Sequence, residues 1–430
     1  MEWLSRLIAG RKARRACPDR IPTDEVLPVF FFDDTPMLRN AILCWTMRFN
    51  DVLDPLKLRQ SLEMLLRRDD GWRKLRGRIR LDATTGKRLE IHVPLSSDTH
   101  RPAVTYYSHV AFQMAIDEHP LASQLPQPTV STSLQANHGI DLAAELGLGP
   151  AAPHTMNDFL TTDAPQLSLH VVSFQDATLV SLTWPHIATD GMGMGHLVHP
   201  WSLVLAGRHD EVPPMLAAAL YQHRRCSDGV DRPDGGVRAS RVVDAECGHH
   251  GTHRHEGRMP SVFPSRTDGG VYLLNAAPLL SCIVPAREMR SKTHGLGVTA
   301  RAIRETLTTQ TSEAQIHGLN RLERFSIAEN GLPAFVGDTG SFLIITTNMT
   351  RARFIEKLDF APAVVPEPLA APGTMVYYQM QGLGDDSVST RNNFFIFGKP
   401  AGDYWINGSL PPAIWSKIED AFALLRNDCE

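Results

Sequence analysis

The stretch TLVSLTWPHIATDGMGMGHLVHPWSLVLAGR, residues 178–208, leaves few folds open to the chain. TLVSLTW (178–184) is β-branched and apolar throughout, and LSLHVVSF (167–174) before it has the same character. Together they read as two buried strands around the turn QDA. HLVHPWSLVLAGR (196–208) places Leu197, Trp201 and Leu205 on one face and ends in Gly207, which reads as a helix with a glycine stop that Pro200 starts or kinks. Between strand and helix lie a histidine and an aspartate four apart, then three glycines at every second position. A histidine at the end of a buried strand sits at a sheet edge, and its ring titrates near neutrality, so His186 is a candidate general base. Asp190 is a poor partner base across a turn; its carboxylate suits pairing with an arginine that holds the loop's shape. Gly191 and Gly193 read as residues that permit backbone angles others avoid. Taken alone, His186 fits a structural histidine in a buried turn equally well. A phosphate cradle at GMGMG lacks the Lys-Ser/Thr of a P-loop.

The rest of the chain alternates strand and helix signals. DPLKLRQSLEMLLRR (54–68) is a helix capped by Asp54 and opened by Pro55, with Leu58, Leu62 and Leu65 in register. GRIRLDATTGKRLEIHV (77–93) reads as a hairpin around TTG. The arginine-rich run RRDDGWRKLRGRIR (67–80) mixes in Asp69 and Asp70 and reads as a solvated face, from which an arginine could meet a phosphate. Residues 226–258 are rich in Gly, Asp, Arg and His with hardly any large apolar residue, and read as a disordered linker. Beyond them, 298–322 is helical with a break midway and 340–348 is a strand. TMVYYQMQ (374–381), NFFIFGK (393–399) and DYWING (403–408) look like a three-stranded meander, followed by a closing helix over 409–425. The pattern is α/β of the α+β type, with strands and helices in each half.

Composition narrows the function classes. A chain of 430 residues suggests two domains. A net charge of -4 gives no electrostatic case for nucleic acid or an anionic membrane as partner. No apolar run approaches the roughly 20 residues of a membrane helix. The six cysteines show no CxxC pairing or metal spacing, and Cys44, in AILCW, reads as a small core hydrophobe. CGHHGTHRHE (247–256) offers a cysteine and four histidines, but without a scaffold it reads as a solvated loop, so no metal is expected. The basic N-terminus, with Trp3, Leu4, Leu7 and Ile8 on one helical face, fits a surface helix or an organelle presequence; the expected location is the cytoplasm.

With these residues in view, LVSLTWPHIATDGMGMGHLVHPWSLVLAGR (179–208) resembles the signature block of the HxxxD, or BAHD-type, acyltransferases in their fungal secondary-metabolite form. Residues 53–81, 296–319 and 397–422 resemble further parts of the same family, and TTNMTRARFIEKLDFAPAVV (346–365) its DFG-type segment. The resemblance implies two similar chloramphenicol acetyltransferase-like domains: 1–207 carrying HxxxD, a crossover linker over 208–268, and 269–430 with the DFG-type segment. It implies transfer of an acyl group, most often acetyl, from acyl-CoA to a hydroxyl or amine of a small acceptor in a channel between the domains, by a monomer without metal. His186 is then the general base, and Asp190, Gly191, Gly193 and Asp359 are structural. The chain departs from the family in three places. Ala361-Pro362 replaces the GWG that follows DF, Met349 stands where relatives often carry tryptophan, and no strand and helix opening the second domain occur between Gly207 and Tyr272. A second domain short of those elements is therefore expected. That leaves two alternatives: a binding shell without chemistry, and a cyclase or condensation-type catalyst on a carrier-bound thioester.

Overall fold

The computed structural model describes residues 17–427, apart from 96–100, 128, 130–132, 136–142, 151, 216–274, 276–278, 291–294, 338–339, 366–372, 384–391 and 399–403. The linker over 226–258, the histidine cluster and the basic N-terminus lie outside the described residues. The first half contains strands β1 (Glu25–Pro28), β2 (Ile42–Phe49), β3 (Arg78–Leu81), β4 (Leu89–Val93), β5 (Thr105–Ala111), β6 (Ser168–Ser173) and β7 (Thr178–Pro185). Its helices are α1 (Pro36–Arg39), α2 (Pro55–Leu66), α3 (Met156–Thr161) and α4 (Gly191–Leu205). The second half adds α5 (Ala286–Met289), α6 (Gly295–Gln310), α7 (Glu313–Asn330), β8 (Ile345–Asn348), α8 (Phe354–Lys357), β9 (Met375–Leu383), β10 (Asn393–Phe397), β11 (Trp405–Ser409) and α9 (Pro412–Asn427).

The central sheet has the order β5-β6-β7-β2-β9. The expected strand pair is present as β6 and β7, antiparallel with Ser168 opposite Thr183. The hairpin is β3–β4, and β1 completes its sheet. The expected helix is α2: Asp54 accepts from the backbone N–H groups of Leu56 and Lys57 at 2.9 and 3.1 Å, and Leu58, Leu62 and Leu65 are buried. The helical segment of the second half breaks at Thr311 and Ser312 into α6 and α7.

The expected meander does not form. β9 leaves its neighbours and pairs antiparallel with β2, while β10 pairs antiparallel with β11 and parallel with β8. The reason is packing. Tyr378 and Met375 on β9 reach the core beneath β2, where Trp45 lies 5.0 Å from the Phe354 ring and 5.6 Å from that of Tyr378. Period-two alternation identified β9 as a strand but carries no information about its partner.

One face of the central sheet carries this core, covered by α2 and α4 and filled by Trp45, Trp72, Trp184, Trp201, Phe49 and Phe360. Trp201 on α4 donates to Ser61 Oγ on α2 at 2.9 Å, tying the two helices together. Among the described residues the second half forms no hydrophobic cluster of its own: Met349, Phe354, Ile355, Leu358, Phe360, Met375, Tyr378 and Phe397 all join the core of the first half. Of α6, only Gly295 is buried.

The arginine-rich run is a solvated face only at its start, where Arg67 and Asp69 are exposed. Lys74, Arg76, Arg78 and Arg80 are all buried. The guanidinium groups of the three arginines find backbone oxygens. Arg76 donates to Pro94 and Leu95, Arg78 to Arg76, Asp163 and Pro102, and Arg80 to Ile79 and Thr162. Asp163 balances their charge with contacts to Arg80 at 2.5 Å and Arg101 at 3.1 Å. These side chains are committed to holding the hairpin and are not placed for a phosphate. Asp163→Ala leaves that cluster short of its anion. With its partly exposed position discounted, the loss is expected to lower stability by about 1–2 kcal/mol in chemical denaturation, with no change in unfolding m-value.

Candidate active site

β7 ends at Pro185, and the chain then turns through His186, Ile187, Ala188 and Thr189 into α4. The turn is fixed from three sides. The His186 backbone N–H donates to the Ala41 carbonyl just before β2 at 2.8 Å. Trp184 Nε1 donates back to the Thr189 carbonyl at 3.0 Å. Asn275, from the second half, donates through Nδ2 to the His186 carbonyl at 2.9 Å.

Asp190 is the N-cap of α4. Its backbone is extended, and its side chain accepts from the Gly193 N–H at 2.8 Å. The carboxylate also meets the positive end of the helix dipole. Asp190 thus shapes the loop, but by capping a helix. That helix begins at Gly191, earlier than the sequence pattern indicated, and Pro200 sits inside it. The glycines do not adopt left-handed angles: none of Gly191, Gly193 and Gly195 has positive φ. Two of them instead allow close packing of the helix start. A Cβ on Gly191 would stand 2.8 Å from Met349 Cε, and one on Gly195 would stand 1.8 Å from the Phe354 ring. Met349, in the place of the usual tryptophan, fills that contact.

His186 is half-buried. Its Nδ1 is shut from solvent with no hydrogen-bond partner in standard geometry. Burial lowers the ring's pKa from the ordinary value; Asp190 acts in the opposite direction through its charge. The net effect favours neutral imidazole, the form that accepts a proton.

Sequence reasoning missed what stands behind the loop. Asp33, buried just ahead of α1, accepts from both the backbone N–H and Nδ2 of Asn275 at 2.9 Å each. Burial pushes Asp33 up to about 6, and the Lys74 charge opposes that. Burial brings Lys74 down to about 8, and Asp33 opposes that. Each group's charge thus favours the charged form of the other. Asn275 therefore bridges a buried carboxylate and the histidine's backbone. DD in FFFDDTP and the isolated Asn in VYLLNAAP carried no periodic signal that could expose them.

Asp359 lies elsewhere. It is exposed, its backbone N–H donates to Ser202 Oγ at 2.9 Å, and its carboxylate accepts from the Ala361 N–H at 2.9 Å. Ser202 is three turns down α4, about 17 Å from the cap. Among the described residues no group of His, Cys, Asp and Glu could hold a metal ion, and no helix is long and apolar enough to cross a membrane.

Two outcomes follow for this loop. Asp190→Ala removes the cap and is expected to cost about 1–2 kcal/mol in a thermal melt, while Asp190→Asn, which keeps an accepting oxygen, costs a few tenths. Asn275→Ala is expected to lower kcat at least tenfold with little change in KM, since it loosens the candidate base without touching a substrate; an Asn275→Asp variant, which also lacks the Nδ2 donor, that keeps full kcat would contradict a role for that donor.

No family model matches the chain. It is 32% identical to transcriptional regulator calD of Penicillium decumbens, over 94% of this chain and 96% of that one. It is 30% identical to O-acetyltransferase PaAT-2 of Phomopsis amygdali, over 93% and 98% of the two chains. It is 28% identical to acetyltransferase adrJ of Penicillium roqueforti, over 94% and 96%. The first of these alignments runs over 485 residues although this chain has 430, so the relative carries residues that this chain lacks. Among solved structures, TRI101 of F. sporotrichioides complexed with coenzyme A and T-2 aligns over 92% of this chain and 97% of its own, at TM-score 0.51 and 13% identity. That likeness gives the chloramphenicol acetyltransferase-like fold. With the strand-turn-helix around His186 and Asp190 in place, the chain belongs to the HxxxD, or BAHD-type, O-acyltransferases of fungal secondary metabolism.

Proposed function

We propose that the protein transfers an acetyl group from acetyl-CoA to a hydroxyl of a small secondary metabolite, with His186 as general base. The single observation that carries this is the state of His186. It stands at a strand end, keeps accessible surface, is held by its backbone from two sides, and is kept neutral by burial. The donor would supply the activated acyl thioester. His186 takes the proton of the acceptor hydroxyl as that oxygen bonds to the acyl carbon. The carbon–sulfur bond breaks, and the proton passes from His186 to the leaving sulfur. No covalent acyl-enzyme is required. The base itself contributes about 10²–10⁴-fold, and the larger share comes from holding donor and acceptor together. The O-acetyltransferase and acetyltransferase relatives support an acetyl donor, and the coenzyme A in the complex of TRI101 supports a CoA thioester as its carrier.

A second reading has its own observation. α6 presents Leu296 at 86% exposure and α7 presents Phe325 at 67%, so the second half is thinly packed. A shell that keeps the HxxxD loop but no donor site fits those uncovered faces.

Acetyl-CoA separates the two. In thermal melts of the full chain it is expected to raise Tm and to be slowly hydrolysed, and His186→Ala is expected to abolish the hydrolysis by at least 100-fold while leaving the Tm rise. A cooperatively folded protein indifferent to acetyl-CoA would favour the shell.

A further inference from the structure

Two buried atoms in the His186 loop lack a partner in standard geometry: Nδ1 of the His186 ring and Oδ1 of the Asn275 side chain. They belong to residues already joined, since Asn275 Nδ2 donates to the His186 carbonyl at 2.9 Å. A neutral imidazole carries one N–H, and its other nitrogen accepts. The ring keeps accessible surface while Nδ1 is shut away, so Nε2 is the nitrogen left to face a substrate. Nε2 can take a proton only in the tautomer that carries its hydrogen on Nδ1. Which tautomer forms is set by what Nδ1 meets.

The sense of the Asn275 amide follows from chemistry. The atom that lies 2.9 Å from the His186 carbonyl also lies 2.9 Å from Asp33 Oδ1. A carbonyl oxygen only accepts, and so does an ionised carboxylate. An amide oxygen at that point would face two acceptors, so the NH2 group belongs there and Oδ1 is the other end. The Asn275 side chain acts on the His186 ring as an acceptor, and so does the ring's own backbone carbonyl; both favour N–H on the imidazole.

Asp33 is placed to impose that sense. Its backbone N–H donates to the Phe30 carbonyl at 3.0 Å, in the turn that leads into α1. Its neighbour Asp34 is tied to Arg39 at 2.5 Å and to the Leu89 N–H at 3.0 Å. One oxygen of Asp33 accepts from both the backbone N–H and Nδ2 of Asn275, which fixes that residue at two atoms. Burial pushes Asp33 up to about 6; the Lys74 charge opposes that shift and the Asp190 charge adds to it. At pH 7 and above Asp33 is therefore a carboxylate, with no hydrogen to offer the amide oxygen.

We propose that Asp33 is a positioning residue for acyl transfer: by drawing the NH2 group of Asn275 toward itself, it turns Oδ1 to the His186 ring, places the imidazole hydrogen on Nδ1 and leaves Nε2 to take the acceptor's proton. This rests on the acyltransferase reading and names the group that gives its base the right tautomer. Asp33 touches no reacting atom and acts only through Asn275. Asp190, the carboxylate of the motif itself, is turned instead to the Gly193 N–H.

The ring ¹⁵N shifts of His186 at pH 8, assigned with His186→Ala, report the tautomer and need no substrate. Nδ1 is expected to carry the hydrogen and Nε2 to be bare. Variants at Asp33 are made together with Lys74→Met, so that no buried cation is stranded. Asp33→Asn retains an accepting oxygen and is expected to keep both the tautomer and most of the kcat for acetyl-CoA hydrolysis. Asp33→Ala removes that oxygen. It is expected to move the ring toward Nε2–H and to lower this kcat by roughly tenfold or more, with little change in KM. If Asp33→Ala does not melt cooperatively, Asn275→Leu in the otherwise unaltered chain fills a similar volume without an amide and is expected to give the same two losses. A ring that already carries its hydrogen on Nε2, a tautomer unchanged in both Asp33→Ala and Asn275→Leu, or equal losses in Asp33→Asn and Asp33→Ala would overturn the proposal. The expected tautomers in a protein that does not hydrolyse acetyl-CoA would support the Asp33–Asn275–His186 relay and count against the acyltransferase reading alone.

Discussion

Strand β2 is the constraint on which the rest of the structure depends. It pairs along its length with both β7, which delivers His186, and β9, which arrives from the far half of the chain. Its two faces do different work. Trp45, Met47 and Phe49 join the aromatic core with Phe354, Phe360 and Tyr378 from the second half, while Cys44, Thr46 and Arg48 share the opposite face with Thr183, Ser181, Gln379 and Gln381. The backbone just before it anchors His186 through Ala41. Register matters here more than composition, because a slip of one residue would exchange the two faces.

Much of this was legible in the sequence. The strands β6 and β7, the helix α2 with its Asp54 cap, the β3–β4 hairpin and the HxxxD loop all carried local signals: alternation, capping residues and turn residues. What was not legible was long-range. Nothing in TMVYYQMQ states that its partner is β2, whose Cys44 stands opposite Gln381, 337 residues further along the chain. Arg76, Arg78 and Arg80 alternate like a solvated strand, and only the surrounding carbonyls reveal them as buried. The glycines of GMGMG suggested unusual angles, yet they serve a helix start pressed against Met349 and Phe354. Asp33, Lys74 and Asn275 come from three separate segments and converge only in the fold.

The second half follows the same logic. Among the described residues its large buried side chains, Met349, Phe354, Phe360, Tyr378 and Phe397, join the core of the first half, and its own sheet of β8, β10 and β11 has three strands. The sequence pattern already lacked a strand and helix there, and calD aligns over more residues than this chain possesses. The turn at His186 is held by Ala41, Trp184 and Asn275, and the start of α4 that follows it is pressed against Met349, Phe354 and Met380 of the second half.

The central claim is that the fold holds His186 as a neutral base. The most direct measurement is a pH titration of the histidine ring signals in ¹⁵N-labelled protein, with His186→Ala supplying the assignment. Burial lowers the His186 pKa, so its signal should remain that of neutral imidazole down through pH 6.5, the ordinary value. The unfolded chain takes up that proton near pH 6.5 and the folded one does not, so stability from this group is full above 6.5 and declines as pH falls below it. A His186 ring that titrates at or above 6.5, or is already protonated at pH 7, would contradict the account.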